Sequence, residues 1–286
     1  MSSTVMIDGL LVPPERARVS VFDRGFLYGD TVFESLRSYR GRPFALDEHL
    51  VRLSHSAERV AIRLPVSLDT LRAEIQHALQ VHGSPASYVR LTLTRGIGRS
   101  LGLDPELAGD PLRVLLVTAF TPPPVEIYEQ GIAAITYRGE RASDAAGVTD
   151  AKVGNYLLAV LAMGAARAVG AREALIEDRH GQILEGAASN LFALISGKLV
   201  TPPESAAILP GITRGHVLEL ARSAGLKVEL RPIVKSELGS ADELFVTSSL
   251  RELVPVVSVD GKAVGPGNPG PITRDLLRSY RALAER

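Results

Sequence analysis

The chain contains no cysteine. That absence excludes disulfides, thiolate metal centres and cysteine nucleophiles together. Net charge is zero, 32 basic against 32 acidic residues, so nothing electrostatic points to a nucleic-acid partner. No apolar run approaches the roughly 20 residues of a spanning helix. The opening stretch MSSTVMIDGLLVPPERARV has no signal-peptide apolar region. These absences predict a cytoplasmic protein without a membrane partner. The six histidines are scattered, the pair His49 and His55 is spaced wrongly for one helical face, and H-E-x-x-H is missing, so no metal site is expected. A P-loop and G-x-S-x-G are missing too. GIGRSLG resembles a dinucleotide fingerprint only superficially, because the third required glycine falls on Leu101 and a loop follows.

Lysine is also scarce, with five against 27 arginines. Lys198 and Lys262 sit in the turn signals SGK and DGK, Lys227 starts a strand after Gly225, and Lys235 lies in a polar connection. Only Lys152 is set among Ala, Val and Gly, where it opens an apolar stretch that predicts a helix from Val153 to Val169. Partial desolvation lowers an ammonium pKa and frees the amine as a nucleophile, which makes Lys152 a candidate Schiff-base residue. A lysine snorkelling from a helix start is the alternative.

With 286 residues, 45% apolar and 22% charged, the chain fits an ordinary globular protein of one large or two modest domains. Residues 32–39 alternate and turn at Gly41, predicting strand, turn, strand. Asp47 can cap a helix in which Leu50, Leu53, Ala57, Val60 and Leu64 share a face. Ser67 caps a second helix that stops at Gly83. SYVRLTLTRG is a strand with Val89, Leu91 and Leu93 on one face and Tyr88, Arg90 and Thr92 on the other. The cluster Thr121-Pro122-Pro123-Pro124 reads as a semi-rigid connector. Strands and helices then mix without a strict βαβ repeat. The expected fold is α+β (α/β) in two lobes: 1–119, a linker at 120–130, and 131–286.

Several features suit a phosphate-bearing cofactor. Pro210-Gly211 delivers Ile212 and Thr213 to a helix start, where backbone N–H groups favour an anion. Ser248 and Ser249 offer hydroxyls at a strand end, and Arg52 is a candidate phosphate clamp. Glu185 precedes Gly186 at a turn, and a carboxylate there is either solvated or set against a cationic ring nitrogen. Lysine, carboxylate, helix-start site and arginine together meet the requirements of pyridoxal 5'-phosphate.

Four segments in order carry a family resemblance: Tyr28-Gly-Asp-x-Val-Phe-Glu34, Lys152-x-x-Asn155-Tyr156, Glu185-Gly186 with Ser189-Asn190-Leu191-Phe192, and Leu209-Pro-Gly-Ile-Thr-Arg214. Over nearly its whole length the chain resembles the fold-type IV pyridoxal-phosphate enzymes, the class IV aminotransferases. The resemblance implies two α/β lobes, most of the cofactor site in the second lobe, and homodimers with active sites near the subunit boundary. It implies that Lys152 holds the cofactor and moves the proton, that Glu185 pairs with the pyridine nitrogen, and that Tyr156 bonds the phenolic oxygen. Arg52, Ile212, Thr213, Ser249 and the adjacent Ser248 would serve the phosphate. Tyr28, Phe33, Tyr88 and Arg90 match substrate positions of branched-chain aminotransferases, which move an amino group between an amino acid and a 2-keto acid. Thr94-Arg95-Gly96 recurs in the D-amino acid and aminodeoxychorismate-lyase branches, where a loop arginine, here Arg99, binds the carboxylate. Ser248-Ser249-Leu250-Arg251 departs from the Gly-Thr-Ala usual in branched-chain enzymes and puts Leu250 at the substrate. The expectation is an L-branched-chain aminotransferase. D-amino acid transamination (with (R)-amine activity), lyase activity and a catalytically silent member stand as alternatives.

Overall fold

A computed structural model describes residues 3–140 and 147–286. The chain forms two compact units, one of Met1–Thr121 with Ala151–Asn155, the other of Pro122–Asp150 with Tyr156–Arg286. The sequence assigns 151–155 to the second lobe, but backbone hydrogen bonding draws this segment to the first unit. Val153 bridges Val32. Phe33 N donates to Lys152 O at 3.1 Å, and Gly154 N donates to Thr31 O at 2.8 Å.

The first unit is built on an antiparallel sheet of six strands: β1 (Ser3–Ile7), β2 (Leu10–Val12), β3 (Thr31–Tyr39), β4 (Arg42–Pro43), β5 (Ser87–Thr94) and β6 (Leu112–Ala119), in the order β2-β1-β6-β5-β3-β4. α1 (Arg24–Tyr28) precedes β3, while α2 (Leu46–Arg59) and α3 (Leu68–His82) follow β4. Val32, Leu36, Val89, Leu91 and Leu93 from the sheet form one core with Leu50, Leu53, Leu71 and Ile75 from α2 and α3. Each such side chain contributes about 1.5–3 kcal/mol on burial. Ser67 accepts from Thr70 N at 3.1 Å and Gly83 closes α3 at φ +70°, both as the spacing predicts. The expected cap of α2 is displaced. Ala45, in the left-handed region, takes the cap position, and Asp47 lies inside the first turn with its carboxylate on Arg72.

The second unit carries β7 (Ile132–Arg138), β8 (Glu173–Glu177), β9 (Gln182–Gly186), β10 (Ser189–Ile195), β11 (Lys198–Thr201), β12 (Lys227–Leu230), β13 (Ile233–Val234), β14 (Glu243–Ser248), β15 (Glu252–Val259) and β16 (Lys262–Ala263). The path β10-β14-β15-β7-β8-β9 returns to β10 through the β9–β10 hairpin, so six strands close into a ring. Its helices are α4 (Glu126–Glu129), α5 (Leu157–Ala168), α6 (Ile212–Ser223) and α7 (Pro271–Ala284). α5 starts at Leu157, four residues later than predicted, because Val153 and Gly154 are already committed to β3. Lys152 therefore lies outside the helix, next to the Val153 bridge. α7 begins at Gly270 without a side-chain cap of its own. Glu243, distant in sequence, accepts from Ile272 N, Thr273 N and Thr273 Oγ1 instead. Among the described residues no helix is long and apolar enough to cross a membrane, and no cluster of metal-ligating side chains occurs.

Candidate active site

The backbone of Lys152 is held from two sides in the first unit. Its carbonyl receives Phe33 N from β3, and its N–H donates to Ser56 Oγ of α2 at 3.0 Å. Its side chain reaches the ring of Phe33, with Nζ 4.7 Å from the centroid. Arg90 stacks on the same ring at 3.7 Å. Strand register explains the grouping. Ser35 pairs with Arg90, Phe33 with Thr92 and Arg37 with Tyr88, so these side chains share the sheet face opposite the helices. Tyr88 Oη lies 3.4 Å from Ser35 Oγ. Lys152, Phe33, Tyr88 and Arg90 are thus neighbours, as the strand alternation and the family segments together lead one to expect.

Arg52, the expected phosphate clamp, is nine-tenths buried, with its side chain 10% exposed. Its Nε and Nη2 each meet an oxygen of Glu34 at 2.7 Å, and His49 Nδ1 reaches the same carboxylate at 2.7 Å. Burial pushes the Glu34 pKa up, but the charge and hydrogen bonds of Arg52, joined by His49, outweigh it and hold the carboxyl at about 2. Burial lowers the His49 pKa against the opposing pull of Glu34. Glu34 ends the Tyr28–Glu34 family segment, but no local signal marks its pairing with His49, which runs from a strand to a helix.

Tyr28 and Arg99 line a cavity of about 310 Å³ together with Phe22, Leu27, Ile97 and Leu101. Tyr28 Oη accepts from Gly102 N at 3.1 Å. Arg24, buried beside it, donates to the carbonyls of Gly102, Leu103 and Asp104 and to Asp30, which fastens the loop bearing Arg99. Gly29 closes α1 at φ +68°, in the left-handed region where any residue with a Cβ would be strained.

In the second unit Glu185 is buried at the end of β9, directly across the hairpin from Asn190. Its Oε2 accepts from Asn190 Nδ2 at 3.3 Å and from Leu209 N at 3.1 Å. The Asn190 amide also donates to Leu209 O at 2.9 Å, tying the hairpin to the Leu209-Pro210-Gly211 turn. A Cβ on Gly211 would sit 1.8 Å from Asn190 Oδ1, so only glycine fits. Gly211 caps α6 without a side-chain hydrogen bond, which leaves the first-turn N–H groups of Ile212 and Thr213 to face an anion. The Thr213 hydroxyl is buried and lies 3.3 Å from Tyr280 Oη, so Thr213 offers an anion its backbone N–H rather than its side chain. Ser248 Oγ accepts from Arg251 N at 3.3 Å and shapes the turn that carries half-buried Ser249 and Leu250. Arg251 reaches the fully buried Glu173 at 2.5 Å. Tyr156 occupies the N-cap position of α5, half-buried. Asn190, Glu173 and Arg251 carry no sequence signal that assigns them a task.

The family model described as amino-transferase class IV matches residues 31–259. The chain is 38% identical over 279 residues to a Methanocaldococcus jannaschii protein provisionally named a branched-chain-amino-acid aminotransferase, covering 98% of this chain and 96% of that one. It is 34% identical to the D-alanine aminotransferase of Bacillus licheniformis, over 95% of this chain and 94% of that protein. The solved structure of a T.th. branched-chain amino acid aminotransferase complexed with N-(5'-phosphopyridoxyl)-L-glutamate superposes with a TM-score of 0.92 at 29% identity, covering 99% of this chain and 94% of that chain.

Proposed function

We propose, from the premise that this chain belongs to the class IV aminotransferase family, that it is a pyridoxal-phosphate-dependent transaminase taking L-branched-chain amino acids and a 2-keto acid such as 2-oxoglutarate. The observation that carries this reading is the Lys152 amine, fixed by β3 and α2 and set on the Phe33 ring beside Arg90. The residues present fit the cofactor. The chain supplies an amine held by its backbone, a buried carboxylate on a rigid hairpin, and a glycine-capped helix start with no competing side chain.

When bound, the cofactor supplies an electron sink that acidifies the substrate Cα–H and carries the amino group between donor and acceptor. Lys152 Nζ would hold the cofactor and would move the proton at the substrate Cα. Glu185 keeps the ring nitrogen protonated, oriented by Asn190 and Leu209. The N–H groups of Ile212 and Thr213, with Arg52, Ser248 and Ser249, take the phosphate, and Tyr156 meets the phenolic oxygen. Tyr88 and Arg90 bind the substrate carboxylate, Phe33 forms an apolar wall, and Tyr28 and Leu250 complete the pocket. The D-amino acid reading draws on one observation: Arg99 stands exposed on a clamped loop at the rim of a cavity with Tyr28. There Arg99 would take the carboxylate.

Homodimerisation is part of the proposal. Phe22, Phe26, Leu101 and Leu103 of the first unit and Leu157, Val160 and Val169 of the second are exposed apolar side chains that a partner copy would cover. A cytoplasmic location suits an enzyme of free amino acids.

The test is a panel of L-leucine, L-isoleucine, L-valine, D-alanine, D-glutamate and (R)-1-phenylethylamine with 2-oxoglutarate or pyruvate as acceptor. L-leucine should react fastest, in a yellow protein whose borohydride-reduced label maps to Lys152. Activity on D-alanine with none on L-leucine would replace the substrate assignment, and a label on another lysine would remove the mechanism.

A further inference from the structure

One buried anion has no task in the proposed reaction. Glu34 pairs with Leu91 across β3 and β5, on the sheet face that α2 and α3 cover, and it is 1% exposed. An ionised carboxylate among leucines is costly unless its oxygens are satisfied. Arg52 satisfies both, through Nε on Oε1 and Nη2 on Oε2, and His49 Nδ1 adds a bond to Oε2, all at 2.7 Å. A neutral His49 therefore carries its proton on Nδ1, the nitrogen that meets an acceptor. The two-point fit fixes the guanidinium plane. Its Nε edge faces Glu34, and the edge between Nη1 and Nη2 points away from the carboxylate. Arg52 lies one helical turn before Ser56, on the same face of α2, and Ser56 is the group that holds the Lys152 N–H. The helix face that positions the reactive amine also carries the locked arginine.

We propose that Glu34, backed by His49, is a positioning residue for Arg52, turning the outward edge of the guanidinium toward the cofactor phosphate. The inference rests on the functional reading above and extends it to a residue that touches neither cofactor nor substrate. Glu34 neutralises Arg52, so its contribution is direction and not attraction. Removing Glu34 raises the local positive charge. Were charge all that mattered, phosphate would then bind more tightly. Loss of orientation makes it bind more weakly.

The experiment compares dissociation constants of apoprotein for pyridoxal 5'-phosphate and for pyridoxal, the same aldehyde without phosphate, followed by absorbance. In Glu34→Gln the affinity for pyridoxal phosphate should fall roughly tenfold or more. Pyridoxal should change by no more than about twofold. Arg52→Ala should show the same selective loss, and the double variant should add almost nothing to it. Equal weakening of both aldehydes would make Glu34 a plain stability residue and overturn the proposal. So would unchanged or tighter binding of pyridoxal phosphate. If Glu34→Gln does not fold, Glu34→Asp keeps the charge and withdraws it by one methylene; a smaller loss of the same selectivity is expected, and none overturns the proposal. Wild-type apoprotein that takes up neither aldehyde sinks the functional reading and this inference together. Uptake by wild type with an unselective variant sinks the inference alone.

Discussion

Two buried glutamates, one in each unit, are held in opposite ways. Glu34 meets a guanidinium fork and an imidazole, so its charge is balanced on the spot. Glu185 accepts hydrogen bonds from two neutral amides, Asn190 Nδ2 and Leu209 N. Neutral donors orient a carboxylate without cancelling its charge, which is the arrangement the proposed pairing of Glu185 with a ring nitrogen calls for. An ion pair does the reverse, locking both partners and offering little field beyond them. The difference separates a group suited to chemistry from one suited to placing another group.

The sharpest way to break this comparison is to make both carboxylates amides. On the proposed roles, Glu185→Gln should lower kcat by roughly 100-fold or more, in the range of lost proton-handling groups, with modest loss of cofactor affinity. Glu34→Gln should instead cost about 3–5 kcal/mol of folding stability, because it removes the charged half of a buried, doubly hydrogen-bonded pair with Arg52. Urea denaturation and steady-state kinetics on both variants check the pair of outcomes; similar profiles would abolish the distinction.

Acid sharpens it next. The Glu34 pKa is lowered from 4.5 to about 2, so its contribution, about 3 kcal/mol, is fully present above pH 4.5 and is lost as pH falls toward 2. His49 adds in the same direction. Its folded pKa is lowered below 6.5, so the unfolded chain takes up a proton first as pH falls through 6.5, and stability begins to drop there. Denaturation at pH 7, 5 and 3 should show this decline, and Glu34→Gln should flatten it below pH 5. An unchanged slope in the variant would place the acid sensitivity elsewhere.

A smaller effect is expected at the substrate arginines. Losing a charge-assisted bond to a carboxylate costs roughly 1.5–3 kcal/mol, a ten- to hundredfold fall in kcat/KM. Arg90→Ala should show that fall for L-leucine and spare (R)-1-phenylethylamine, which has no carboxylate, while Arg99→Ala changes L-leucine little. Measured kcat/KM values in the reverse order, with D-alanine the working substrate, would move the carboxylate to the Arg99 loop.

The smallest effect belongs to an ion pair in water. Arg63 and Asp110 lie 2.9 Å apart with side chains 68% and 96% exposed. Arg63→Ala should cost no more than about 0.5–1 kcal/mol, and 1 M salt should reduce the difference. A loss as large as that of Glu34→Gln would mean that burial is not what separates the two pairs.

Much of the fold is legible because its signals are local. Ser67 and Gly83 bound α3 through bonds to residues three or four positions away, and the alternation of residues 87–94 sets Tyr88 and Arg90 on one face before any partner strand is known. The Pro210-Gly211 turn marks the start of α6 for the same reason. What escaped such signals depends on distant partners. Glu34 looks like any alternating strand residue until α2 brings Arg52 and His49 against it. The α7 cap comes from Glu243, and Asp47 yields the α2 cap to Ala45 in a left-handed turn.

The sequence by itself determined the family, the one lysine set among small apolar residues and the order of the elements, because these rest on residue type and short-range spacing. Tertiary structure alone decided that Lys152 stands ahead of the helix, beside β3, because a β3 bridge claims Val153 and Gly154 first. It also decided that Arg52 is half of a buried pair with Glu34, since an ionised side chain taken out of water must find its counter-charge wherever the fold supplies one.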